Sequence, residues 1–347
     1  SAPVEVAIDA KNFRIDLVQP FVETTFATLD GRLDADARIR VAPGFDDGQM
    51  TGKFALREGR FDMPQLGERF DAVKAELTIR PWGTVRLDDL RAEVGDGHVM
   101  GSAFARLDGW KLERAEATIE VPKGESIPLA FEGVPLGRVH GKIVAKAHMI
   151  EGQNTLAVDV DVPVFDVRLP DGMRKDVQKL EPAEHVRMGT FREGRFVSLP
   201  ISKPKENGAG GVAVRASIDL GENVHVYRDP LLDVRLGGKV VVVKDDEIAV
   251  TGQIVALRGK VEVQGREFEI ERGVVTFTGD EPSKPQVFLT ATWEAPDGTR
   301  VTATLTGTPD DADLALSSDP SLSDDQILSL ILFGSPSGGM GATAAEG

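Results

Sequence analysis

The residues of this chain that could do chemistry are its histidines, its acidic clusters and its glycine-rich turns. The five histidines never fall at metal-ligand spacing, and His140 and His148 lie eight residues apart. The acidic clusters at 310–313 and 245–247 lack the spacing of a calcium loop, which favours solvated turns. Gly95-x-Gly97 lacks the third glycine of a nucleotide-binding loop, and no G-x-S-x-G motif occurs. The sequence therefore predicts no catalytic residue, no metal and no cofactor, and we expect a protein that is not an enzyme.

Composition restricts the classes of partner. The 347 residues carry a formal net charge of −16, and no cluster of lysine and arginine offsets it. This negative charge disfavours binding to nucleic acid and attachment to a membrane through basic residues. The chain has no cysteine, which excludes disulfides and thiolate chemistry. No apolar run approaches the roughly 18 to 20 residues of a membrane-spanning helix.

The elements that must position any site are β-strands. Apolar and polar residues alternate with period two along much of the chain, most clearly from Val255 to Gly334. Because successive side chains of a strand point to opposite faces, this pattern predicts strands with one apolar face and one polar face. Runs of five to eight residues end at Gly, Pro or Asp, which predicts short strands joined by tight turns. Roughly 22 to 26 such strands would form a sheet about 105–125 Å long.

An internal echo indicates that the strands belong to an array. Arg57-Glu-Gly-Arg-Phe61 recurs as Arg192-Glu-Gly-Arg-Phe196, and 271–277 is a looser copy. Such self-similarity is typical of repeated supersecondary units, with the glycine allowing a tight turn or a bulge. The alternative is that turn chemistry simply recurs in any all-β protein.

One helix is expected, close to the C-terminus. Ser323 and Gln326 have the spacing of a capping box, and Gly334 ends the apolar run. The run has no polar face, so the helix must dock onto another element. The docking residues are Ile327, Leu328, Leu330, Ile331, Leu332 and Phe333.

The stretch Arg258–Gly279 resembles the conserved C-terminal domain of the TamB family of translocation and assembly proteins. The resemblance continues through 285–289 and 305–308 and is most specific in 313–323 and 325–334. It covers residues 211–334 well, and residues 56–121 are more loosely similar to the family's upstream strands. The resemblance implies an all-β fold in which an elongated sheet of many short strands folds lengthwise into a trough, the β-taco, with an apolar lumen.

The resemblance also implies a location and a role. Members of the family are periplasmic parts of inner-membrane proteins of diderm bacteria and work with a BamA-like or TamA-like outer-membrane barrel. They are implicated in outer-membrane protein assembly and in carrying phospholipid between membranes. The N-terminal membrane anchor and the last C-terminal strands of the family are absent, so we expect a fragment of a longer protein.

On this basis we divide the chain into four segments. Residues 1–132 form a repetitive trough segment, and residues 133–210 form an irregular segment with a short helix at Met173–Leu180 and a Gly-rich loop at Lys203–Gly211. Residues 211–334 form the domain that resembles TamB, and residues 335–347 form a disordered tail.

The alternation identifies candidate groove residues for lipid. They are Val261, Val263, Phe268, Ile270, Val275, Phe277, Val287, Leu289, Trp293, Val301, Leu305, Leu314 and Leu316. Acyl chains suit such a surface, because each CH2 removed from water contributes about 0.8 kcal/mol. Two alternatives stay open: a β-sandwich or β-helix scaffold or adhesin with a sealed core, and a platform whose open edges accept nascent barrel strands.

Overall fold

The chain folds as one long β-sheet. The computed structural model describes residues 3–19, 28–42, 48–63, 68–131, 134–170, 189–192, 195–198, 212–245, 247–282 and 284–336. In chain order the strands are β1 (Val4–Arg14), β2 (Thr28–Val41), β3 (Gly48–Met63), β4 (Glu68–Arg80), β5 (Thr84–Val94), β6 (Gly97–Asp108), β7 (Lys111–Val121), β8 (Ile127–Phe131), β9 (Val134–Met149), β10 (Thr155–Arg168), β11 (Gly189–Arg192), β12 (Arg195–Ser198), β13 (Ala213–Asp219), β14 (Val224–Arg228), β15 (Leu232–Lys244), β16 (Ile248–Val263), β17 (Arg266–Thr278), β18 (Gln286–Glu294), β19 (Arg300–Thr308) and β20 (Asp311–Asp319). A short 3-10 helix spans Ile15–Val18, and the α-helix α1 spans Asp324–Phe333. The all-β prediction and the predicted C-terminal helix are confirmed.

Eighteen of the strands form the main sheet, and they follow one another as an antiparallel meander with two departures. β7 and β8 share one edge of β9, and β13 and β14 share one edge of β10. The eighteen strands therefore occupy sixteen rows, which at the usual spacing gives a sheet about 70 Å long. β10 pairs with β13 and β14 in parallel, and the small hairpin β11–β12 lies between them in the chain.

The described residues form twenty strands, which are fewer and longer than the 22 to 26 short strands predicted from the sequence. β3, β9 and β16 each have 16 residues. The reason is visible at Arg57-Glu-Gly, which has the composition of a turn but forms a bulge inside β3. The looser copy of this motif lies at a register shift in β17, between Ile270 and Arg272. The copy at residues 192–196 includes positions outside the described residues.

Bulges bend the strands and fold the sheet lengthwise. Register shifts interrupt β1, β3, β4 and β5 at Asn12, Glu58, Ala72 and Asp89, and each of these residues has a φ between 49° and 53°. The left-handed backbone conformation of such a residue costs roughly 1 kcal/mol or more of free energy. A bulge increases the local bending and twist of its strand. At one rim of the trough, Trp110 in the β6–β7 turn reaches across the intervening strands and packs on Gly48 of β3. The predicted trough is confirmed.

Two clusters of buried side chains stabilise the trough. The larger one lies beneath α1 and includes Phe268, Val301 and Leu330. The smaller one joins Val94 and Val99 of β5 and β6 to Val121 at the end of β7. Elsewhere the described apolar side chains are mostly half-buried or exposed.

The main sheet crosses the predicted segment boundaries, since β7 pairs with β9 and β10 pairs with β13. The division into segments stays a prediction. The predicted helix at Met173–Leu180, the loop at Lys203–Gly211 and residues 337–347 of the predicted tail lie outside the described residues.

Candidate functional site

The candidate site is the inner face of the trough, which we call the groove. Directly paired residues of neighbouring strands lie on the same face of a sheet. Leu289 pairs with Leu305, and Leu305 pairs with Leu314, which carries one apolar row across β18, β19 and β20. Phe54 pairs with Leu77 in the N-terminal half in the same way. The register thus places apolar residues on one face from β1 to β20.

The opposite, outer face is polar and carries exposed ion pairs. Arg69 Nε donates to Asp62 Oδ1 at 2.7 Å, and this hydrogen bond is the main reason that the pKa of Asp62 lies below its usual value. Lys260 Nζ donates to Glu267 Oε1 at 2.6 Å, and this contact raises the pKa of the lysine. Exposed pairs of this kind contribute little to stability, but they keep the outer face wet. The contrast between the two faces defines the groove.

Much of the groove has no second layer of protein over it in the described part of the chain. Ile119 in the middle of the sheet is 50% exposed, and Leu314 at its C-terminal edge is 63% exposed. Val4, Val6 and Ile8 on the inner side of β1 are exposed as well. A monomeric protein rarely leaves a long continuous apolar surface in water unless that surface binds something.

α1 fills one part of the groove. Ile327, Leu330 and Ile331 occupy one helix face through the i, i+3, i+4 spacing and are buried against the inner face of β15 to β20. The other three predicted docking residues, Leu328, Leu332 and Phe333, remain exposed. Because the helix has no polar face, its sequence does not reveal which side packs against the sheet. Only three of its six apolar residues pack there.

The candidate groove residues share one face but fall into four environments. Three of them are buried beneath α1: Phe268, Ile270 and Val301. Four border that cluster: Val261, Leu289, Trp293 and Leu316. Four are half-buried on the groove away from the cluster: Val275, Phe277, Val287 and Leu305. Val263 and Leu314 are exposed. The residues beneath α1 are covered by protein, so a ligand would occupy the rest of the groove unless the helix moves.

Arg266 holds the C-terminal end of α1. Its Nε donates to the carbonyl of Ile331 at 3.1 Å, and its guanidinium lies 5.3 Å from the ring centre of Trp293. Gly334 ends the helix in the left-handed conformation with φ 76°. A cation at this end also complements the helix dipole. Sequence reasoning missed Arg266, because the contact joins residues 65 positions apart.

We predict that Arg266→Gln lowers the free energy of unfolding by about 1–2 kcal/mol, through loss of a charge-assisted hydrogen bond and a cation–π contact. Urea denaturation followed by far-UV circular dichroism would measure this change. The matched control is Arg272→Gln, because Arg272 lies 5.4 Å over Phe288 on the outer face without touching α1. An equal loss in both variants would contradict the role of Arg266.

Sequence reasoning also missed half of the groove and a histidine network. The candidate residues were confined to 261–316, although the alternation in residues 4–121 gives the same signal. On the outer face Asp166 accepts from His225 at 3.1 Å and lies 3.2 Å from His140. Parallel pairing of β10 with β14 brings Asp166 beside His225, and antiparallel pairing of β10 with β9 brings it beside His140, which no local pattern shows. No group of three or more potential metal ligands forms among the described residues.

The fold and the groove define a class of protein: an open, elongated β-trough whose inner face is apolar along its length. The family model of the TamB C-terminal domain matches residues 139–347, which is more than half of the chain. The chain therefore belongs to the TamB family. A search of curated proteins found no significant match. Within the described residues no helix is long and apolar enough to cross a membrane.

Proposed function

We propose that the chain is a periplasmic segment of a TamB-like inner-membrane protein of a diderm bacterium. Its groove shields the acyl chains of phospholipid during transport between the inner and outer membranes. The observation that carries this proposal is the continuous apolar face, much of which no described protein layer covers. Membership of the TamB family supports the same proposal.

The physics of the groove suits acyl chains. Aliphatic side chains make few directional demands, so a hydrocarbon tail can bind at many positions with similar affinity. Each buried CH2 contributes about 0.8 kcal/mol, and a whole tail therefore gains several kcal/mol. The phosphate-bearing end of the lipid stays in water at the open seam of the trough, because burying an unpaired charge is costly. Nearly uniform binding lets the lipid slide along the groove, and the direction of transport requires an external driver.

The family also supports a partner. We propose that the segment works with a BamA-like or TamA-like outer-membrane barrel and supports assembly of outer-membrane proteins. β1 and β20 are edge strands without a second partner strand among the described residues, and open edges of this kind can accept an added strand. A platform for nascent barrel strands can therefore coexist with lipid transport. A scaffold with a sealed core is the less favoured function, since the described protein covers the groove mainly beneath α1.

Lipid extraction tests the proposal. Protein purified from membranes without harsh detergent should contain at least one phospholipid per chain in native mass spectra, and lipid-stripped protein should take up added phospholipid. Absence of lipid in both experiments would contradict the proposed function. The control is a soluble protein of similar charge purified in the same way.

A further inference from the structure

A cavity of about 250 Å³ lies at the rim of the trough, where the groove ends in the N-terminal half. Its apolar side consists of the groove residues Met50, Ile79 and Leu107. Trp82 in the β4–β5 turn and Trp110 in the β6–β7 turn also line it. The cavity therefore joins the apolar groove to solvent.

The rim cavity is a built feature formed by three separate chain segments. The Trp110 ring lies so close to Gly48 that a Cβ there would come within 2.3 Å of ring atom Cζ2. The two turns are joined by the Leu107 amide, which donates to the Gly83 carbonyl at 2.8 Å. The position of Trp110 is therefore fixed by packing.

Trp82 is unusual because it is 86% exposed. A tryptophan usually buries its large apolar ring, and an indole at the border between an apolar region and water is typical of sites where one end of a ligand is apolar and the other is wet. Such a ring offers its face to a cation, with an ammonium being a good partner.

Charged side chains of both signs line the same cavity. Arg106 Nε lies 2.9 Å from Glu113 Oε2, which leaves further guanidinium N–H groups to donate to a phosphate. Glu113 and Asp108 supply carboxylates for a cation. The rim cavity thus combines aromatic faces, a guanidinium and carboxylates beside an apolar surface.

We infer that the rim cavity binds the head group of a phospholipid that carries both a phosphate and an ammonium, while the acyl chains lie in the groove. The phosphate contacts Arg106, and the ammonium contacts the indole of Trp82 and the carboxylates. This inference rests on the proposed function and adds a preference for one class of head group.

Calorimetry with short-chain lipids tests the preference. Below its micelle concentration, dihexanoyl phosphatidylethanolamine should bind several-fold more tightly than dihexanoyl phosphatidylglycerol, which has the same chains without an ammonium. Trp82→Ala should weaken binding of the ethanolamine lipid about two- to fivefold and leave the glycerol lipid unchanged. Arg106→Gln should weaken binding of both lipids. Phe288→Ala removes an exposed aromatic ring on the outer face and should change neither affinity.

The outcomes separate this inference from the proposed function. Equal affinities for the two lipids, unchanged by Trp82→Ala, would overturn the head-group site. The proposal that the groove binds acyl chains would be unaffected. Failure of the unmodified protein to bind either lipid would overturn both. Free phosphoethanolamine, which has no chains, should bind far more weakly than the lipid. If phosphoethanolamine bound as tightly as the lipid, the cavity would bind head groups without help from the groove. That result would contradict the inference.

Discussion

Phe277→Asp should reduce transfer of phospholipid between donor and acceptor vesicles by at least about tenfold. Phe277 lies on the groove, half-buried and outside the cluster beneath α1. A carboxylate at this position must either stay hydrated, which keeps acyl chains away, or lose water at a cost of several kcal/mol. A cost of only about 1.4 kcal/mol already gives a tenfold effect. Fluorescent-lipid transfer measures the rate directly.

Thr276→Asp is the matched control for this experiment. Thr276 precedes Phe277 in β17 and pairs with Gln253 and Gln286 on the outer face. The control adds the same charge to the same strand but leaves the groove unchanged, so transfer should stay close to normal. Circular dichroism must show that both variants keep their β-structure. If folded Phe277→Asp protein transfers lipid at the normal rate, the groove does not carry the acyl chains.

The second prediction with a large expected effect concerns the packing that holds α1 in the groove. Leu330 is fully buried against the sheet, and Leu330→Asp would place an unpaired charge there. Because burial of that charge costs more than a short helix gains from packing, we expect α1 to leave the groove. Hydrogen exchange measured by mass spectrometry should then show loss of amide protection across residues 324–333. Departure of α1 would expose the inner-face residues beneath it, among them Phe268 and Val301. We therefore expect more lipid to bind per chain.

Leu332→Asp makes the same change on the same helix, at a side chain that is 51% exposed. It should leave the amide protection of α1 and the lipid stoichiometry nearly unchanged. Equal loss of protection in the two variants would mean that α1 is not held by its buried face. Normal lipid stoichiometry with a released helix would mean that the surface beneath α1 does not bind lipid.

The local features of this fold could be predicted from the sequence, and the long-range ones could not. Alternation along a strand fixes which residues share a face, and the register places Phe277 and Leu305 on the same face of the sheet. The ends of α1 follow from local capping chemistry at Ser323 and Gly334. The docked side of the helix could not be derived, because the run is apolar all round.

The sequence predicts too many strands, and therefore too long a sheet, because a bulge and a turn use the same residue types. At Glu58 and Asp89 a charged residue in the left-handed conformation bends a strand that continues on both sides. Sequence patterns alone do not distinguish this arrangement from a hairpin turn. The parallel pairing of β10 with β13 and β14, and the rim cavity with Trp82, also depend on contacts between distant segments.

Photo-cross-linking to lipid tests the central claim most directly. Benzoylphenylalanine would be placed on the groove at Leu77, Ile119 and Phe277, and in parallel at the outer-face neighbours Thr78, Thr118 and Thr276. The account predicts phospholipid adducts at the three groove positions, along the whole length of the sheet, and none at the three neighbours. Equal labelling of both faces, or no adduct at any groove position, would contradict it.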